Sequence, residues 1–280
     1  MTLDFSIWIF FPLTLAIIAI LLQESKAAFA LLALFFIGAL FEQKLKILGL
    51  VSILIGLSLA YKTPSFRPFW RYVSLFIISL WSFALFFHLV PGFNNLQVLN
   101  KVTASVNSMP FSMYLNLDKP MLIFTLTLAY PPLLGKIKTV KFKPIIFTLM
   151  PLFALLPIAT ALGALKPELS LPHWWWLFVF NNLILVCVAE EALFRGFFQQ
   201  LFSEKCGWII GLILASILFG LAHFAGGPLL MVFATLAGIG YGLIFHFTGR
   251  LWAAILCHFI FNFAHLAFFT YPMLGPAALH

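Results

Sequence analysis

Val186-Cys187-Val188-Ala189-Glu190-Glu191-Ala192-Leu193-Phe194-Arg195 places two adjacent carboxylates and a guanidinium inside an apolar run. The run extends over residues 173–203, long enough for a helix to cross a bilayer. Only 8 of the 280 residues are acidic, and 63% are hydrophobic. Ionisable groups at bilayer depth are costly, so they face a protein interior or a wet cavity and mark function. Working outward, the same apolar character holds along the whole chain. Mean hydropathy is +1.09 and charged residues make up 9%. A soluble domain needs far more polar surface.

The sequence therefore predicts an all-α, polytopic transmembrane bundle of about 8–10 spans. The apolar runs have helical length and no short alternating pattern, which excludes a barrel. Ten segments fit: 5–22, 27–41, 45–61, 69–90, 120–134, 143–165, 173–203, 207–225, 228–247 and 250–270. The second and fifth are short, and Pro131-Pro132 predicts that the fifth is re-entrant or ends early. The longest polar stretch, Pro91–Pro120, holds Asn94, Asn95, Asn100 and Asn107 and reads as an interfacial loop or short surface helix. No basic region precedes the first apolar run, so Met1–Leu22 reads as a retained span.

The net charge of +8 does not point to nucleic acid. The Lys and Arg residues sit in short loops, where they orient helices. Lys26, Lys62, Arg67, Arg71, Lys136, Lys138, Lys141, Lys143, Lys205 and Arg250 occupy odd-numbered loops. Lys44, Lys46, Lys101, Lys119 and Lys166 occupy even ones. The bias predicts odd loops in the cytoplasm and both termini outside. Cys187, Cys206 and Cys257 lack metal-knuckle or disulfide spacing and read as structural thiols. Trp174-Trp175-Trp176 after Pro172 read as an interface anchor. Gly238-Ile239-Gly240-Tyr241-Gly242 reads as a face that lets another helix backbone approach.

Three polar elements fall on three of the last four segments: Glu190-Glu191 with Arg195, Phe219 with His223, and His258 with Asn262. Glu191 and Arg195, four apart, share a helix face and can pair, which lowers the cost of burying both. Glu190 points about 100° away and lacks that partner. A carboxylate in an apolar place binds its proton more tightly, as a general base requires. His258 and Asn262, also four apart, can offer hydrogen-bond donors to an oxyanion, and His265 extends their stripe. With a turn at residues 204–206, Glu190 and His223 both stand roughly 22–27 Å from it, at 1.5 Å per residue. They can then face each other.

Such a set can gather around one water. Glu190 would take its proton, His223 would hold it, and His258 with Asn262 would stabilise the tetrahedral oxyanion. A divalent metal such as zinc, held by Glu190, His223 and His258, is the rival arrangement. These residues lack the compact His-Glu-x-x-His spacing. Each element alone has a bland reading: a solvated helix end, a core aromatic with a carbonyl-satisfied His, an interhelical hydrogen bond. Their order carries the functional reading. His88, His173, His246 and His280 have no such company and read as loop, interface or packing residues.

Glu190-Glu191-x-x-x-Arg195, Phe219-x-x-x-His223 and His258-x-x-x-Asn262, in this order, resemble the CPBP intramembrane proteases, the CAAX-protease and bacteriocin-processing (Abi) family. The resemblance covers about residues 172–271 and implies a helical membrane endopeptidase. It makes Glu190 the catalytic base, His223 the water-holding residue, His258 and Asn262 the oxyanion pair, and Glu191 and Arg195 supports. It leaves a metalloendopeptidase and a metal-free glutamate protease both open. Residues 1–165 carry no family motif and read as N-terminal transmembrane helices forming a scaffold or docking half. The apolar make-up and small loops point to a bacterial inner (cytoplasmic) membrane, where prenylated substrates are not expected. The expected partners are the lipid bilayer and a membrane-anchored peptide or protein tail. The alternatives are a non-catalytic bacteriocin-immunity or interaction protein on the same scaffold, and a transporter or proton relay. The two halves show no paired broken helices, which argues against a transporter.

Overall fold

The computed structural model describes residues 5–136, 139–140 and 142–275. Lys138, Lys141 and His280, which figure in the sequence reading, lie outside the described residues. All ten apolar segments contain helix. We label them α1 (Phe10–Leu21), α2 (Ser25–Phe41), α3 (Ile47–Lys62), α4 (Pro68–Phe86), α5 (Met121–Ala129), α6 (Phe142–Ala161), α7 (Trp175–Cys206), α8 (Trp208–Leu221), α9 (Gly227–Thr248) and α10 (Leu251–Phe268). Among the described residues, six helical segments are long and apolar enough to cross a membrane. They comprise α3, α4, α6, α7, α9 and α10 with short extensions, while α1, α2 and α8 are shorter apolar helices. The protein is an integral, multi-pass membrane protein of the all-α class.

The expected loop or surface helix after α4 is instead a two-stranded hairpin, β1 (Leu96–Val102) with β2 (Phe111–Leu115). The reason is local. Phe111, Met113 and Leu115 alternate with Ser112 and Tyr114, the period of a strand with one face covered. β-branched and aromatic residues suit that pleated surface.

The chain forms two compact units. The first comprises Met1–Val98, Tyr114–Leu134 and Ile184–Leu193. At its centre lies α5, which ends early, as Pro131-Pro132 requires. Met121–Leu126 and Ala129 are all buried, because a helix that is apolar all round must be covered on every side. Helices α1, α3 and α4 and the Val188–Glu191 turn of α7 pack on it.

The second unit comprises Leu99–Met113, Gly135–Leu183 and Phe194–His280. Helix α9 is its hub, in contact with α6, α8 and α10. The face Gly238-x-Gly240-x-Gly242 behaves as its sequence suggests. A β-carbon on Gly238 would stand 3.0 Å from the Arg195 guanidinium, and one on Gly242 would stand 2.6 Å from Gln199 Oε1. Side chains of α7 occupy the space that the glycines leave. Trp174 corrects the tryptophan reading: it is buried, edge-on to Phe111 at 5.2 Å, and belongs to the core of this unit. Trp175 and Trp176 are exposed, as an interfacial pair would be.

Candidate active site

Helix α7 is not a uniform α-helix. Asn181–Cys187 and Ala192–Gln199 are π-wound, with one ordinary α turn, Val188–Glu191, between them. Wide turns of this kind recur at functional sites. Here they flank the Glu190-Glu191 pair. They also change the phase argument: with i→i+5 bonding after residue 191, a spacing of four is less than a full turn.

In the first unit, Glu190 is 5% exposed and Glu191 is fully buried. Both ride on the α turn that packs against α5. Glu190, which does not share the Glu191–Arg195 face in the sequence reading, has a charged neighbour of its own. Lys119 Nζ lies 3.6 Å from Glu190 Oε1, and the same ammonium sits 4.2 Å above the Phe86 ring. The sequence reading had counted Lys119 only as a loop cation that votes on orientation. Its position two residues before the α5 start was the missed signal. His88 is likewise not without company: its Nδ1 lies 2.6 Å from Asp118 Oδ2, and Asn95 Nδ2 donates to Asp118 Oδ1 at 3.2 Å.

In the second unit, His223, His258 and Asn262 line one cavity of about 150 Å³, together with Phe219, Tyr241 and His265. A water needs only about 10–15 Å³ of such space. His223 follows the end of α8, and its Nδ1 is 2.8 Å from the Phe219 carbonyl. A carbonyl only accepts, so Nδ1 is the donor, and the tautomer that matches this contact has its lone pair on Nε2. The carbonyl contact anticipated as a bland alternative for this His is therefore present, and it sets the tautomer. His258 is buried and stacks on Tyr241, with ring centroids 4.4 Å apart at 15°. Its ring also meets the Phe219 ring edge-on at 5.6 Å. Asn262 Nδ2 donates to Asn182 Oδ1 at 3.3 Å. His265 Nε2 donates to the Thr270 carbonyl at 3.1 Å.

Arg195 has no solvent exposure. Its Nη2 donates to the Gly238 carbonyl at 3.0 Å, and its guanidinium lies 4.3 Å from the Phe219 ring and 5.4 Å from Tyr241. Phe219 thus explains its place in the Phe-x-x-x-His element. Its carbonyl fixes His223, and its ring touches both His258 and Arg195. Four residues on, Gln199 donates through Nε2 to the Gly242 carbonyl at 2.9 Å. Gln199 is 4% exposed, so the polar end of α7 that meets water begins after it. Sequence reading missed Tyr241, Asn182 and Gln199 as parts of this shell. Tyr241 stood inside the glycine run and was read as packing.

Cys187, Cys206 and Cys257 form no disulfide, and His246 stacks on Trp208 at 4.3 Å as a packing residue. Among the described residues, no group of three or more His, Cys, Asp or Glu side chains is placed to hold a metal ion.

Residues 172–264, less than half of the chain, match the family described as Type II CAAX prenyl endopeptidase Rce1-like. No curated protein matches the chain, and no solved structure does. The matched segment spans all three polar elements, Glu190 to Asn262.

Proposed function

We propose that the chain, which through residues 172–264 matches the Type II CAAX prenyl endopeptidase Rce1-like family, is a glutamate-dependent intramembrane endopeptidase acting on membrane-anchored peptide or protein tails. Glu190 takes a proton from a water held by the His223 Nε2 lone pair. The hydroxide oxygen adds to the scissile carbonyl carbon, and the carbonyl electron pair moves onto oxygen. Hydrogen bonds from His258 and Asn262 receive that oxyanion. As the tetrahedral intermediate collapses, the carbon–nitrogen bond breaks and Glu190 returns its proton to the leaving nitrogen. Glu191 and Arg195 support this arrangement.

The observation that carries the reading is the cavity. Two imidazoles and a carboxamide from α8's end and α10 line one space large enough for water. Each of the two imidazoles is held by an identified neighbour: Phe219 for His223, and Tyr241 for His258. The rest of the wall includes Leu155, Leu156, Ala159 and Phe233, which suits an apolar stretch of substrate. The small loops and apolar make-up favour the bacterial cytoplasmic membrane as its location and a non-prenylated tail as its substrate.

The test is Glu190→Gln in purified protein reconstituted into liposomes with a panel of membrane-anchored peptide tails. The variant keeps shape and removes the base. Loss of a general base costs roughly 10²–10⁴-fold in rate, so cleavage should fall by at least that, with the protein still folded. Cleavage at the wild-type rate would remove Glu190 from the mechanism.

A further inference from the structure

We infer that Lys119, which lies outside the matched segment, is the counter-ion that positions Glu190. The inference rests on the reading of Glu190 as the base. Four observations within the first unit support it.

First, Lys119 Nζ is 3.6 Å from Glu190 Oε1, with side chains only 14% and 6% exposed. An ammonium so far out of water does not remain unless an anion and a polarisable surface receive it. Glu190 and the Phe86 ring, 4.2 Å below Nζ, supply both. Second, the backbone that carries Lys119 is clamped. Asp118 is 1% exposed, and its Oδ1 accepts from the Lys119 N–H at 3.0 Å and from Asn95 Nδ2 at 3.2 Å. Its Oδ2 meets His88 Nδ1, and Asn95 Oδ1 accepts from the Leu117 N–H at 2.8 Å. Third, Lys119 leads directly into α5, whose buried positions face every side. A helix gripped all round does not rotate, so the lysine cannot swing away from its root. Fourth, the Val188–Glu191 turn packs on that same helix. Lysine and glutamate are therefore anchored to one rigid body, and their separation is set by it.

A base must be held within a fraction of an ångström of its water to work, and a carboxylate on a flexible side chain needs a partner to fix its rotamer. Lys119 supplies that partner from the half of the chain in which no motif was legible. It touches no reacting atom and is a positioning residue.

The experiment uses full-length protein in nanodiscs: wild type, Lys119→Met, Lys119→Arg, Glu190→Gln, and the Lys119→Met/Glu190→Gln double variant. Thermal midpoints of the four members of the cycle report the pair without any substrate. Lys119→Met removes this counter-ion from the buried Glu190 carboxylate and should lower the midpoint. Adding Glu190→Gln should restore part of that loss, so the two changes are non-additive. On a tail peptide cleaved by wild type, Lys119→Met should lower kcat at least tenfold with KM unchanged. Lys119→Arg, which keeps the charge, should regain most of it. Additive midpoints would overturn the pair, and wild-type kcat in Lys119→Met would overturn its positioning role. Wild-type cleavage by Glu190→Gln would instead sink the base reading, whatever the thermal cycle shows.

Discussion

At the residue scale, the second unit joins its polar groups through two aromatic rings. Phe219 contacts Arg195 and His258 as well as His223, and Tyr241 carries His258 on its face. The three sequence elements were legible because each sets a titratable group in an apolar run, where any charge is conspicuous. Their supports were not. Asn182 is one of two adjacent asparagines on α7, and nothing in its spacing tells that it accepts from Asn262. Lys119 reads as a loop cation until α5 is seen to be buried. Asn182 gives the prediction at this scale. Without its oxygen, the Asn262 carboxamide loses the contact that aims it. Asn182→Ala should lower kcat about tenfold, equivalent to about 1.4 kcal/mol, with little change in KM. That is less than the roughly 10²–10³ expected for removing an oxyanion donor outright, as in Asn262→Ala. Steady-state kinetics on both variants check the order, and an Asn182→Ala enzyme with wild-type kcat would remove Asn182 from the site.

At the element scale, the pairing of α7 with α9 is a ladder. Arg195 and Gln199, four apart, donate to the carbonyls of Gly238 and Gly242, also four apart. The glycines were legible as a close-approach face, and that is what they are. What approaches them could not be read, because α7 contains two π-wound stretches and a 3.6-residue period does not carry through it. The same limit applies to the hairpin β1–β2. Its strand alternation spans only a few residues, Phe111–Leu115, inside a long polar stretch that reads as an interfacial loop or short surface helix. Gly242→Ala tests the ladder. Its new methyl would press on Gln199 Oε1 and the Leu212 side chain. Overpacking of this kind costs about 1–3 kcal/mol. The variant should show a lower thermal midpoint and reduced cleavage. Equal cleavage by wild type and Gly242→Ala would show that α9 has room the structure denies it.

At the scale of the whole molecule, the fold class was written in composition alone. Bilayer thickness fixes how long an apolar helix must be, so ten apolar runs in 280 residues announce a polytopic bundle before any contact is known. The division into two compact units was not announced. Their boundaries cut through the hairpin and through α7, inside stretches that read as single segments in the sequence. Function at this scale means a change in the cell's membrane proteome: if Glu190 activates water for peptide hydrolysis, the chain leaves shortened tails behind. The most direct measurement is therefore mass spectrometry of protein C-termini from cells that make wild-type protein, Glu190→Gln protein at equal membrane level, or neither. The account predicts a set of membrane-anchored proteins or peptides with truncated tails in the first cells only. Termini that are the same in all three, or truncations that persist with Glu190→Gln, would contradict it.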